Sequence, residues 1–177
     1  MKAIAILSGK GGTGKTSITL SLGHVLAHCG FKTLLIDLDL FTHGMTFYSL
    51  GKDEREAPFS LADIFKRGGE KPGAIPVLRI PGAFAGSNLF MIPSLTTGNL
   101  SSNELAITRE FDDIAAFSSR LRKLIDTVIK KHKFEQVIID TRGGTDHTSI
   151  GAAMASGACI VVTEADKPSW EMGRVLG

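Results

Sequence analysis

Short apolar runs alternate along this chain with longer segments that have helical periodicity. The runs are four or five residues long and rich in Ile, Leu and Val. The strands they predict cover residues 3–7, 33–36, 89–92, 136–139 and 159–162. Short, continuously apolar strands separated by helices are typical of a parallel sheet that is covered on both faces. We therefore predict an α/β fold with a doubly wound, mostly parallel sheet.

Two longer segments carry apolar residues three or four positions apart and are predicted to be helices. The first follows residue 14 and ends at Gly30, and the second runs from about residue 110 to 131. The stripe of the first helix that should face the sheet is Ile18, Leu22, Val25, Leu26 and Cys29. The buried face of the second should be Ile114, Phe117, Leu121, Leu124, Ile125 and Val128. Residues 41–86, rich in Gly and Pro, are predicted to form a mobile insertion with one short helix at 60–66.

Composition limits the class of protein but says little about its partners. A chain of 177 residues with 43% hydrophobic content can bury one sizeable core, and 20 basic against 18 acidic residues favour no particular partner. Cys29 and Cys159 lie far apart and form no CxxC pair, so we expect small buried packing residues rather than a disulfide, zinc or redox site. The N-terminal apolar run is too short for a signal peptide, and no apolar run is long enough to span a membrane. A cytoplasmic protein is expected.

The stretch SGKGGTGKTS, residues 8–17, fits the phosphate-loop pattern G-x-x-x-x-G-K-[ST] with Gly9, Gly14, Lys15 and Thr16. Glycines allow backbone N–H groups to converge on a phosphate at the positive end of a helix dipole. Lys15 would add a charge on the β- and γ-phosphates, and the Thr16 hydroxyl would ligate Mg²⁺. The predicted nucleotide-binding residues are Gly11, Gly12, Thr13, Gly14, Lys15, Thr16 and Ser17. A glycine-rich turn that merely joins strand to helix is the alternative.

Acidic residues follow two of the predicted strands. Asp37 and Asp39 come after the run at 33–36, and Asp140 comes after the run at 136–139. Ligands of open α/β sheets bind at the carboxyl ends of strands, and a carboxylate buried there without a partner would be costly. The sequence therefore predicts a metal site formed by Thr16, Asp37 and Asp140. Capping of the following turn is the alternative for Asp37 and for Asp140.

Three motifs in this order, KGGTGKT, LLIDLDL and VIIDTRGG, resemble the ParA/MinD family of P-loop ATPases with a deviant phosphate loop. The resemblance covers essentially the whole chain and extends to NLFMIPS at 88–94 and to residues 158–177. The last segment is especially similar to the MinD branch. The loop LFTHG after Asp39 lacks the proline-glutamine pair common in the ParA branch, which also favours a MinD-like protein.

The resemblance implies a role for each matching residue. Lys15 is the phosphate-loop lysine, Thr16 the magnesium ligand and Asp140 the holder of the metal's water shell. Asp39, the second carboxylate of the family's Asp-x-Asp, helps to orient the attacking water. Lys10 is the signature lysine that reaches across a dimer to the phosphates bound by the other subunit, so the catalytic set is Lys10, Lys15 and Asp39. A solvated loop cation is the alternative for Lys10.

The implied function is a slow Mg²⁺-dependent ATP hydrolase that dimerises when ATP is bound and acts in division-site placement or in chromosome or cargo partitioning. An activating or cargo protein is expected as a partner, and contact with DNA or a membrane stays open. One P-loop domain is predicted over residues 1–177, incomplete at its C-terminus by comparison with the family. The alternatives are a non-hydrolysing nucleotide-binding adaptor and a phosphotransferase with an acceptor site in residues 41–86.

Two residues near the motifs are departures from the family pattern or additions to it. Arg142 is an added charge beside the predicted phosphates, and it could pair with Asp146 or contact the nucleotide. His43 could touch the site, but a lone loop histidine is more often solvated, and we expect it to be so.

Overall fold

The computed structural model describes residues 3–50, 60–66, 75, 77–81, 88–94, 113–165, 171 and 174. Its strands are β1 (Ala3–Leu7), β2 (Thr33–Asp37), β3 (Leu78–Arg79), β4 (Leu89–Ile92), β5 (Gln136–Asp140) and β6 (Ala158–Val161). Its helices are α1 (Lys15–His28), α2 (Gly44–Ser49), α3 (Leu61–Lys66), α4 (Ile114–His132) and α5 (His147–Ala155). The five predicted strands are found with ends within one residue of the prediction.

The strands form one sheet in the order β3-β4-β2-β5-β1-β6. Every neighbouring pair is parallel except β3 with β4, which is antiparallel. The predicted doubly wound, mostly parallel sheet is therefore confirmed. The short edge strand β3 was not predicted, because two residues are too few to give a periodic signal.

Helices cover the sheet on both faces, and each face has its own cluster of buried side chains. On one face α4 buries Phe117, Leu121, Leu124, Ile125 and Val128, as predicted from their spacing, whereas Ile114 of the predicted face is only half-buried. The helix begins at Ile114, since the Asp113 side chain accepts hydrogen bonds from the backbone N–H groups of residues 115 and 116. Residues 110–112, where the prediction began, lie outside the described part of the chain.

The predicted sheet-facing stripe of α1 is wrong for three of its five residues. Ile18, Val25 and Cys29 are exposed, whereas Leu22 and Leu26 are half-buried and pack against the core. The fully buried residues of this helix are Lys15, Thr19, Gly23 and Ala27. The reason is close packing, because a Cβ on Gly23 would lie 2.8 Å from the side chain of Leu35 in β2. Only small side chains fit along the line of contact, so the bulkier apolar residues point sideways or outward.

The expectation that both cysteines are buried is also wrong. Cys29 caps the C-terminus of α1 and Cys159 lies in the edge strand β6, and both are exposed. Gly30 ends α1 as predicted, with a φ of 93° and a backbone N–H that donates to the Ala27 carbonyl.

The segment predicted as an insertion, 41–86, lies partly outside the described residues. Its predicted helix at 60–66 is found as α3, while α2 was not predicted. Of the helices that the structure describes, none has the length and apolar character needed to cross a membrane.

Candidate functional site

The sheet order brings the three predicted motifs to one edge. Strand β5 lies between β1 and β2, and Asp37 at the end of β2 is the register partner of Asp140 at the end of β5. The glycine-rich loop leaves β1 after Leu7 and leads directly into α1. All three segments therefore meet at the carboxyl ends of adjacent parallel strands, where ligands of such sheets bind.

The loop at residues 8–14 has the backbone of an anion cradle. Gly12 and Gly14 have φ values of 80° and 87°, in the left-handed region that favours glycine. Gly14 is the N-cap of α1 and supplies no side-chain hydrogen bond, so the first N–H groups of the helix stay available to a ligand. The Thr13 hydroxyl oxygen is buried and has no hydrogen-bond partner among the described residues. These features fit a bound phosphate group.

Lys15 is held inside this cradle. Only 7% of the residue is exposed, and its Nζ donates to the Ser8 Oγ at 2.8 Å. Burial lowers the pKa of the Lys15 ammonium, while the negative charges of Asp140, Asp39 and Asp146 act to raise it. An anion bound in the loop would favour the charged form, which is the behaviour expected of a phosphate-binding lysine.

Thr16 and Asp140 form a pair of oxygen donors below the loop. The Thr16 hydroxyl donates to Asp140 Oδ2 at 2.7 Å, and the Thr19 hydroxyl lies 3.1 Å from Oδ1. Burial raises the pKa of the Asp140 carboxyl, and the two hydroxyls and Lys15 act to lower it. A hydroxyl and a carboxylate suit Mg²⁺, which keeps most of its ligands as water and phosphate oxygens. Larger groups of metal-binding side chains were not found in the described parts of the chain.

Asp37 lies beside this pair but has different partners, so the structure does not place it with Thr16. Its Oδ2 accepts hydrogen bonds from the Thr46 N–H at 2.8 Å, the Thr46 hydroxyl at 2.6 Å and the Ser94 hydroxyl at 3.0 Å. The residue is fully buried, and burial raises the pKa of its carboxyl to about 7. Asp37 thus joins the end of β2 to the start of α2 and to the segment after β4, and its role as a metal ligand stays a prediction.

Asp39 caps the turn that follows it. Its Oδ1 accepts hydrogen bonds from the backbone N–H groups of Phe41 at 3.2 Å and Thr42 at 3.0 Å. Its Oδ2 accepts one from the Thr42 hydroxyl. In this conformation the carboxylate orders its own loop, and its role in orienting a water stays a prediction.

His43 is buried, with 4% exposed, so the prediction of a solvated histidine is wrong. Its Nδ1 lies 2.9 Å from the Ser94 Oγ, and its backbone adopts a φ of 52°. It belongs to the polar network around Asp37, together with Thr46. No local sequence signal indicates this network, because Ser94 is 57 residues from Asp37 and 48 from Thr46.

Among the described ion pairs Arg142 is not paired with Asp146, and its contact with the nucleotide stays a prediction. Asp146 is the N-cap of α5, accepting from the Ser149 N–H at 2.8 Å, and the Arg142 guanidinium lies 4.3 Å from the centre of the Phe41 ring. This cation–π contact joins the loop after β2 to the loop after β5. The adjacent Gly143 lies against the phosphate loop, where a Cβ would be 2.5 Å from the Lys10 carbonyl oxygen.

Lys10 lies on the flank of the loop. Its carbonyl accepts from the Ser8 hydroxyl at 2.6 Å, and its Nζ lies 2.6 Å from Oε2 of Glu164. The same Ser8 hydroxyl also accepts from Lys15. The Ser8 hydroxyl therefore joins the Lys10 carbonyl to the Lys15 ammonium, whereas the Lys10 ammonium pairs with Glu164.

Comparison with known proteins shows the family of this chain. The AAA domain family matches residues 1–173. The chain is 30% identical over 163 residues to the chromosome partitioning protein ParA of Caulobacter vibrioides, covering 91% of this chain and 55% of that protein. It is 29% identical over 177 residues to the septum site-determining protein MinD of Synechocystis, covering 99% of this chain and 58% of that protein.

A solved structure, MinD of Pyrococcus horikoshii complexed with Mg-ADP, matches with a TM-score of 0.70 and 22% identity over 99% of this chain and 64% of that one. At this identity the likeness shows the fold alone. The chain spans little more than half the length of the two curated relatives. Relatives named ParA and MinD match with nearly equal identity, so the preference for the MinD branch stays a prediction.

Proposed function

Because the chain belongs to the AAA domain family that includes the ParA and MinD ATPases, we propose that it is a Mg²⁺-dependent ATPase that dimerises when ATP is bound. The observation that carries this proposal is the convergence of Lys15, Thr16 and Asp140 on the glycine-rich loop. A solved relative of the same fold is complexed with Mg-ADP, which supports nucleotide and magnesium as the ligands.

Each part of the site has a task in binding and turnover. The N–H groups of residues 11–17 would hold the phosphates, and Lys15 would stabilise charge on them. Thr16 would be a direct ligand of Mg²⁺ and Asp140 would hold its water shell, as the 2.7 Å contact between them supports. Bound Mg²⁺ supplies neutralisation of the charge that develops on the phosphates.

Lys10 is the residue that links turnover to dimerisation in this proposal. Its main chain is fixed by Ser8 and lies against Gly143, while its partly exposed side chain extends to Glu164. A lysine so placed is better suited to phosphates on a second subunit than to those that its own loop surrounds. Charge supplied from a partner is worth orders of magnitude in rate for phosphoryl transfer.

The cellular role that we propose is positional. The relatives are named for chromosome partitioning and for determination of the septum site. A slow ATPase that alternates between monomer and dimer could place a division site, a chromosome or another cargo, with a second protein that accelerates hydrolysis or serves as the cargo.

Size-exclusion chromatography with light scattering, in the presence of ATP and Mg²⁺, tests the proposal. The parent should form a dimer, Lys15→Ala should stay monomeric because it binds nucleotide poorly, and Lys10→Ala should bind ATP but stay monomeric. Lys123→Ala, on the exposed face of α4, is the matched control and should dimerise like the parent. A parent that binds ATP yet remains monomeric would contradict the dimer.

A second candidate, a nucleotide-binding adaptor without hydrolysis, is favoured by one observation. The Asp39 carboxylate accepts three hydrogen bonds within its own turn, which leaves it poorly placed to orient a water. ATP turnover of the parent and of Asp39→Ala separates the two candidates. Turnover that falls at least about tenfold in the variant supports the ATPase, and a parent with no turnover above background supports the adaptor.

A further inference from the structure

The chain that follows β6 runs beside the start of the phosphate loop. Val161 is the register partner of Leu7, and the N–H of Val162 donates to the Leu7 carbonyl at 2.7 Å. Two residues later, the Glu164 carboxylate meets the Lys10 ammonium at 2.6 Å, with 46% and 40% of the two side chains exposed. The pair therefore joins the signature lysine to a segment far from it in sequence, within one subunit.

The main chain and the ammonium of Lys10 are held by different groups. The Ser8 hydroxyl and the close approach of Gly143 fix the carbonyl of Lys10. The four-carbon stem is flexible, so the ammonium can exchange one anionic partner for another by rotation alone. Movement of Lys10 between partners thus requires no change in the phosphate loop.

We propose that Glu164 is a positioning residue that holds Lys10 in cis in the free subunit and must release it before Lys10 can contact phosphates bound by a second copy. This inference rests on the proposed function, which gives Lys10 that contact. If Lys10 kept its pairing while reaching a triphosphate, the Glu164 carboxylate would come close to the phosphate charges and repel them. Dimerisation therefore requires the pair to break in both subunits.

The size of the effect follows from the exposure of the pair. An ion pair that is partly open to solvent changes an equilibrium about two- to fivefold. Since two such pairs break in each dimer, Glu164→Gln should tighten ATP-dependent dimerisation about four- to twenty-fivefold. The difference between the dimer dissociation constants of the parent and of Glu164→Gln should become smaller at high salt, because salt screens exposed charges.

The experiment is a dimer dissociation constant measured by sedimentation velocity with Mg²⁺ and a slowly hydrolysed ATP analogue. Glu164→Gln should tighten the dimer, Glu164→Asp should lie close to the parent, and Lys10→Ala/Glu164→Gln should stay monomeric. Asp126→Asn removes one negative charge from the exposed face of α4 and should behave like the parent.

Three outcomes would overturn the inference. A parent that dimerises with the same constant as Glu164→Gln would overturn it alone and leave the proposed function standing. Dimerisation of Lys10→Ala/Glu164→Gln would show that Glu164 acts through another group. A parent and a Glu164→Gln variant that both bind the analogue but never dimerise would overturn the inference and the proposed dimer together.

Discussion

The ends of β2 and β5 carry the same sequence feature and differ in what surrounds it. In each, an aspartate follows a run of buried apolar residues, and Asp37 and Asp140 are register partners that are almost fully buried. Asp140 is bound by hydroxyls of α1, the helix that begins at the phosphate loop. Asp37 is bound by Thr46 and Ser94, which belong to other segments. Carboxylates at equivalent strand ends thus have different hydrogen-bond partners, and from these we expect different roles.

The electrostatic surroundings differ in the same way. Burial raises the pKa of both carboxyls, but Lys15 opposes the shift at Asp140. At Asp37 only neutral donors oppose it, and the nearby Asp140 charge adds to it. We therefore expect Asp140 to be tied to nucleotide binding and Asp37 to folding stability.

The largest expected effect is a dependence of stability on pH that belongs to Asp37. Its pKa of about 7 in the folded protein lies above its ordinary value, so the folded state binds the proton more tightly. The stability it contributes is complete below about pH 4 and is lost as the pH rises through about 7. Relative to Asp37→Asn, the unfolding free energy of the parent should fall by up to about 4 kcal/mol over this range.

Urea unfolding of both proteins at several pH values, without nucleotide and with EDTA, measures this difference. Asp126→Asn, an exposed change on α4, should keep the pH dependence of the parent. Equal slopes for the parent and Asp37→Asn would mean that Asp37 has an ordinary pKa, and the contrast between the two strand ends would lose its electrostatic basis.

A second comparison uses the same substitution at both strand ends. Asp140→Asn should lower the Mg²⁺-dependent part of ATP affinity about 10- to 100-fold, because it alters the partner of Thr16 and the metal's water shell. Asp37→Asn should change that affinity less than about threefold, since its carboxylate faces Thr46 and Ser94. Isothermal titration calorimetry with and without Mg²⁺ measures the ATP affinities of both variants and the parent. An equal loss of ATP affinity in both variants would mean that Asp37 also belongs to the metal site.

Hydroxyl deletions should give smaller effects in the same pattern. Ser94→Ala removes one of three donors to Asp37 Oδ2 and should lower the unfolding free energy by about 1 kcal/mol while leaving ATP affinity unchanged. Thr16→Ala should lower ATP affinity and leave the unfolding free energy nearly unchanged. Urea unfolding and ATP titration of both variants test this, with the exposed Ser21→Ala as control. If Ser94→Ala weakened ATP binding as much as Thr16→Ala, the hydrogen-bond networks of Asp37 and Asp140 would act together in ATP binding.

The same contrast shows which features of the fold and the site can be predicted from local sequence patterns. The five longer strands, most of the buried face of α4 and the position of the phosphate loop depend on local spacing, and each was predicted. The inward face of α1 was not, because it is set by the distance between Gly23 and Leu35 on another element. The network of Asp37 and Ser94 was not predicted for a similar reason, because its members come together only when β2 and β4 pair. Thr19 could have been found, as it lies one helical turn beyond Lys15.

The smallest expected effect concerns the contact that joins the loops after the two strands. Arg142 over the ring of Phe41 is a partly exposed cation–π pair, worth about 0.5–1 kcal/mol, so its loss should speed release of a fluorescent ADP analogue about two- to fivefold. Phe41→Leu and Arg142→Gln should each show this in stopped-flow experiments, and Phe41→Trp should not. The double variant should be no faster than either single one, because both remove the same contact. Additive effects would mean that Phe41 and Arg142 act separately.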